Sequence, residues 1–167
     1  MKNWWIFCLL ITLLNPGILL AQLFGGQLKP SNSSYPPGVV HCNPQNRTAV
    51  VEVTNPTTGK TWMDRNLGAS RVATSATDSQ SFGELYQWGR KADGHQCRNS
   101  LTSSTLSASN TPSNGNFIVA PNNLQDWRSP QNSNLWQGVS GTNNPCPSGY
   151  RLPTTSELNA EVQIWVN

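Results

Sequence analysis

The sequence is short of charge. Only 11% of its 167 residues are Asp, Glu, Lys or Arg, against about a quarter in ordinary soluble domains. That excludes charge-laced coiled coils and helical repeats, and 11 scattered cations without a basic run exclude a nucleic-acid surface. Histidine is nearly missing, with His41 and His95 the only two. Beyond residue 21 there is no apolar run approaching the roughly 20 residues a membrane-spanning helix needs, so no span is expected there. What is abundant is turn chemistry: Asn, Ser, Thr, Gly and Pro supply 76 residues. The few large aromatics, seven of them Trp, must then supply much of the buried area.

Residues 1–21 open with Lys2, run through the apolar stretch Trp4 to Leu14, and end at Leu19-Leu20-Ala21. This is the pattern of a secretory signal peptide, with Asn15-Pro16-Gly17 interrupting the run before it reaches spanning length. Cleavage is expected after Ala21, which leaves a secreted, periplasmic or cell-surface chain. Residues 22–41 read as an extended polar leader, punctuated by Pro30, Pro36 and Pro37.

Export places Cys42, Cys97 and Cys146 in an oxidising compartment, where a structural disulfide is the expectation. An odd count leaves one thiol free, paired with another chain, or deprived of its partner. His41, Cys42, His95 and Cys97 offer nitrogen and sulfur ligands, but not at the spacing of a zinc site. His95 stands two residues before Cys97, and no carboxylate is evident to orient it as a catalytic base. The sequence therefore proposes no catalytic residue, no metal ligand and no cofactor.

Local patterns point to an α+β, loop-rich domain. Thr48–Val53 and Lys60–Arg65 flank the turn Asn55-Pro56-Thr57-Thr58-Gly59 and read as a β-hairpin. Phe82, Leu85, Tyr86 and Trp88 fit a helix or an aromatic strand, the glycines around them favouring the strand. From Gly94 to Asn144 runs a polar stretch too long for an ordinary connection, so it is either a functional loop or an irregular layer over the core. Thr154 to Glu157 is a capping box, and Leu158, Val162, Trp165 and Val166 then share one face of a C-terminal amphipathic helix. Trp62 and Trp88 are expected in the core. Trp127 and Trp136 lie among amides and hydroxyls, where indoles can stack on a sugar face, although packing beneath a long loop is the plainer reading.

Three segments carry a resemblance: Thr58 to Gly68 (Thr-Gly-Lys-Thr-Trp-Met-Asp-Arg-Asn-Leu-Gly), Leu85-Tyr86-Gln87-Trp88, and Asn144 to Thr154 with its Cys-Pro-Ser-Gly-Tyr-Arg-Leu-Pro-Thr. In this order they resemble the Fibrobacter succinogenes major paralogous domain, whose fold is grouped with the C-type-lectin-like and sulfatase-modifying-factor folds. The resemblance implies that residues 42–167 form the N-terminal part of such a domain, an incomplete C-type-lectin-like fold whose further strands do not follow. It also implies that Cys146 normally pairs with a cysteine in the absent part, which leaves Cys42 with Cys97. The function implied is a secreted or cell-surface module that binds a glycan or a cell-envelope protein without catalysis. A partner-dependent fragment is the alternative; a sulfatase-modifying-factor-like oxidase is disfavoured, because the reactive cysteines of that family lie beyond this chain's last residue.

Overall fold

A computed structural model describes residues 9–10, 35–45, 47–121 and 125–165. Among them are two small sheets, one short 3-10 turn and one helix, an α+β arrangement in which loops dominate. Strand β2 (Glu52–Thr54) and strand β3 (Thr61–Met63) form the expected antiparallel hairpin, β3 shorter at both ends than the sequence pattern and β2 starting later and ending one residue beyond it, with Val53 opposite Trp62. Asn55 organises its turn. Its N–H donates to Lys60 O at 2.9 Å, its carbonyl accepts from Gly59 N–H at 2.8 Å, and its side-chain oxygen accepts from Thr57 N–H at 2.9 Å. This is the side-chain-to-backbone bonding that makes Asn a turn residue.

The larger sheet has the order β2-β3-β1-β6, with β1 at Leu9–Leu10 and β6 at Tyr150–Arg151. Strand β1 runs antiparallel to both neighbours, Leu9 opposite Trp62 and Arg151, Leu10 opposite Thr61 and Tyr150. This part of the segment read as an export signal is thus built into the sheet. The cleavage point after Ala21 and residues 22–34 of the leader lie outside the described residues. The rest of the leader is held against the body: Val40 N–H donates to Ala92 O and Val40 O accepts from Gln96 Nε2, both at 2.8 Å.

Helix α1 (Thr155–Trp165) starts where the capping box places it. Glu157 N–H donates to Thr154 Oγ1 at 3.3 Å, and Thr154 N–H donates back to Glu157 Oε2 at 2.9 Å. Arg151 grips the same carboxylate with both guanidinium nitrogens, at 2.7 and 2.8 Å, and Lys60 Nζ stands 3.4 Å away. The Arg151 hydrogen bonds hold the Glu157 carboxyl well below the usual carboxylate range.

The buried face of α1 differs from the expected one. Val162 is 40% exposed, whereas Glu161 is buried. The hairpin turn explains this: Asn55 Nδ2 donates to Glu161 at 2.6 Å and the Thr58 hydroxyl donates to its other oxygen. The helix meets a surface of donors, so it docks through an acceptor. The side chain of Trp165, and Val166 altogether, lie outside the described residues.

Two apolar clusters form the interior. Met63, Leu67, Trp136, Cys146 and Tyr150 make one beneath the sheet, with Tyr35, Val50, Tyr86 and Leu152 packed on it. Ile118, Trp127 and Leu135, flanked by Leu106, make the other inside the long polar stretch. That stretch is therefore a layer with a core of its own. It holds a two-stranded parallel sheet, β4 (Thr102–Ser103) beside β5 (Phe117–Ile118).

Residues 85–88 are neither strand nor helix. Gln87 nonetheless acts as a strand neighbour through its side chain, whose amide donates to Ile118 O at 2.8 Å and accepts from Ile118 N–H at 3.1 Å. The tryptophans also depart from expectation. Trp62 is buried, but Trp88 is 47% exposed, and Trp127 and Trp136 are only 2% and 3% exposed. Each of the last two is fixed by its indole N–H, Trp127 to Trp88 O at 2.7 Å and Trp136 to Arg90 O at 3.1 Å. They are packing residues, not sugar-stacking platforms.

Candidate functional site

Two groups of ionisable side chains stand close to the disulfide. Cys42 and Cys97 are joined, with Cα atoms 5.3 Å apart, as the resemblance implies. Cys146, fully buried, is disulfide-bonded within this chain as well, against the expectation that its partner lies in an absent part of the domain, and no cysteine among the described residues is free. The sulfurs of Cys42 and Cys97 are thus occupied by each other, which removes Cys97 as a nucleophile and both as zinc thiolates.

The first group is buried. His95 does have an orienting carboxylate, contrary to the sequence reading: Asp93 Oδ1 lies 2.7 Å from its Nδ1. Its other nitrogen, Nε2, accepts the Gln87 backbone N–H at 3.0 Å, so the ring is neutral with its proton on Nδ1. Burial holds the imidazole below its ordinary pKa, as does Arg90 nearby, against the pull of Asp93. Arg90 is itself fully buried. Its guanidinium donates to Asp93 Oδ2 at 2.9 Å and, at 2.8 Å each, to Gln87 Oε1, Asn116 O and Asn114 O, while Trp127 lies 5.8 Å from it. The loop at 114–116 can approach only because residue 115 is glycine; a Cβ there would sit 2.6 Å from Asp93 O. Every arm of this network ends on protein. It clamps the irregular layer, with Arg90 and His95 fully buried and Asp93 partly exposed.

The second group faces solvent. A cleft of about 430 Å³ opens beside the disulfide, walled by Tyr35, His41, Arg47, Glu84, Tyr86 and Arg98. Tyr35 OH donates to Thr48 O at 3.1 Å, and the Tyr35 ring meets His41 edge-on at 4.8 Å. Glu84 reaches the floor because Gly68 yields the space: a Cβ on Gly68 would lie 2.1 Å from Glu84 Cγ, and its φ of 82° already favours glycine. Tyr86 OH donates to Glu84 Oε2 at 3.1 Å. Burial raises the Glu84 pKa above the usual glutamate value, opposed by hydrogen bonds from Tyr86 and the Cys42 backbone. Burial also pushes Tyr35 up to about 12, and lowers His41 with help from Arg47.

The cleft therefore offers phenol oxygens as acceptors, a neutral imidazole, a carboxyl with raised pKa and two guanidinium groups at an exposed rim. These are hydrogen-bonding and stacking groups for a small polar ligand. Of the residues singled out in the sequence, His41, Cys42 and Tyr86 line it; Cys97 is at its edge as the bonded partner, and Trp127, Trp136 and Cys146 lie elsewhere. Glu84, Tyr35, Arg47 and Arg98 were not marked by any motif. The available signal was scarcity: in a chain with eight acids, a glutamate between Gly83 and Leu85 beside an aromatic cluster is a residue to question.

No protein-family model, curated protein or solved structure matches the chain.

Proposed function

We propose that the protein is a secreted or cell-surface module of C-type-lectin-like kind, similar to the Fibrobacter succinogenes major paralogous domain, and that it binds a polar ligand in this cleft without chemical turnover. A glycan is the favoured class, a cell-envelope protein the other. The observation that carries the reading is the cleft's composition: aromatic rings, a partly buried carboxyl, and the guanidinium groups of Arg47 and Arg98, the latter anchored on Gly83 O, all line one cavity. Hydroxyl-rich ligands are recognised by such mixtures of stacking faces and bidentate donors. The disulfide beside it is the chemistry of an oxidising compartment, and no described helix is long and apolar enough to cross a membrane.

The test is a glycan and cell-envelope binding screen of the refolded chain, with Arg47→Ala and Arg98→Ala beside it. Both side chains are exposed, so the variants should fold; each should weaken binding by about tenfold, the loss expected for a charged hydrogen bond. Binding that ignores both substitutions would move the site away from the cleft, and a ligand of protein nature would select the second class.

A further inference from the structure

The arginines of this chain are not partnered alike. Arg65, Arg71, Arg90 and Arg151 each meet a carboxylate, on Asp64, Asp78, Asp93 and Glu157. Arg98, exposed at the rim of the cleft, meets a neutral carbonyl instead: its Nε and Nη2 donate to Gly83 O at 3.2 and 2.9 Å. Among the described residues no carboxylate forms an ion pair with it. A guanidinium carries five N–H groups in a fixed fork, so anchoring its Nε–Nη2 side on Gly83 leaves the Nη1–Nη2 side with two further parallel donors. That is the geometry a carboxylate accepts in two hydrogen bonds.

The anchor is stiff. Gly83 has a φ of 71°, a Cβ there would lie 2.3 Å from Leu67 O, and the next N–H, that of Glu84, donates to the same oxygen at 3.0 Å. Arg98 itself follows Cys97, which is fixed by its bond to Cys42 and by its N–H on Gly94 O at 3.2 Å. The second guanidinium of the cavity, Arg47, precedes the buried Thr48, whose carbonyl accepts from Tyr35 OH and whose hydroxyl accepts from Gly68 N–H at 2.6 Å. The one acid lining the cavity, Glu84, is engaged from within the protein, by Tyr86 OH and the Cys42 backbone N–H. Two cations against one engaged carboxylate leave the lining positive, and the side chains of Asn43, Ser70, Gln80 and Asn99 around them suit hydroxyl groups.

We infer that the cleft takes an acidic sugar, a uronate unit of a polysaccharide, whose carboxylate lies in the open fork of Arg98 with Arg47 adding charge, and whose hydroxyls meet the amides and hydroxyls of the lining. The inference rests on the cleft reading and deepens it. A neutral sugar offers the fork single hydroxyls, which are weaker acceptors than the two oxygens of a carboxylate.

The test compares a labelled oligogalacturonate with its methyl ester, which keeps the shape and the hydroxyls and removes the charge, by fluorescence anisotropy on the refolded chain with its disulfides formed. The acid should bind about tenfold more tightly than the ester, and the preference should shrink as salt is raised. Arg98→Gln should bring the acid to the level of the ester and leave the ester itself little changed. Arg98→Lys, which keeps the charge without the fork, should restore only part of the preference. A general loss of packing would weaken both ligands alike, so the ratio of the two affinities reads the fork alone. Equal binding of acid and ester, with both weakened by Arg47→Ala, overturns the acidic class and leaves the cleft standing. A preference that Arg98→Gln does not change overturns it as well. So does the absence of binding by either ligand, in which case the wider glycan screen still judges the cleft.

Discussion

The hairpin-and-helix end of the molecule and the layer over residues 94–144 satisfy their backbones by opposite means. At the first, main-chain groups pair with one another in β2–β3 and α1, and side chains such as Glu157 and Glu161 serve as ties between finished elements. In the second, the β4–β5 ladder is only two residues long, and side chains supplement it. Arg90 donates to two carbonyls of the 114–116 loop, Gln87 pairs with both backbone groups of Ile118, and Asn143 donates to Gly89 O and Asn110 O. Buried backbone groups must find partners somewhere. Where glycine, proline and short polar residues rule out regular structure, long polar side chains become the framework, and each of them matters more than a surface tie does.

The difference can be tested by removing one member from each region. Arg90→Ala strands two loop carbonyls and the Asp93 carboxylate, so it should lower the unfolding free energy by about 3–5 kcal/mol in a urea titration. Glu157→Ala removes a cap and the Arg151 fork from a helix whose backbone pairs itself, and should cost about 1–2 kcal/mol in the same assay. If the two losses were equal, the contrast between the regions would collapse.

A third prediction concerns acid. His95 is neutral in the fold with its pKa depressed, so the unfolded chain binds the proton more readily. The stability it contributes is complete above the unfolded value of about 6.5 and declines as pH falls from there toward the folded pKa. His41 is depressed too, so the titration is best read in a His41→Gln background, where His95→Gln should flatten the remaining slope. A slope that persists in the double variant would remove His95 from the clamp. The smallest effect is expected at Trp88: with nearly half its surface in water, Trp88→Ala should cost about 1 kcal/mol, against about 3–5 for Trp127→Ala.

The same division governs what the sequence discloses. The hairpin turn at Asn55, the capping box at Thr154 and the start of α1 were all legible, because each is a local arrangement of a few consecutive residues. The burial of Glu161 was not, since it depends on donors a hundred positions away in the hairpin turn. Nor were the fates of Trp88 and Trp127. Irregular backbone carries no period, and which indole is buried depends on which carbonyl its N–H can reach. The aromatic cluster at 85–88 reads as a strand because Gln87 does have a strand's partner, though it meets that partner with its side chain. Of the cleft, His41, Cys42 and Tyr86 were visible beforehand but not as one site, for Tyr35, Arg47 and Glu84 come from three segments with no common motif.

Gly115 has a meaning in time as well as in space. The approach of the 114–116 loop to Asp93 leaves no room for a side chain at this position, so the fold obliges Asn114 to precede a glycine. An asparagine followed by an unhindered peptide nitrogen is the pair at which an amide side chain closes most readily on its own backbone and emerges as a carboxylate. The loop that Arg90 holds by the carbonyls of Asn114 and Asn116 is then also the place where the molecule ages first.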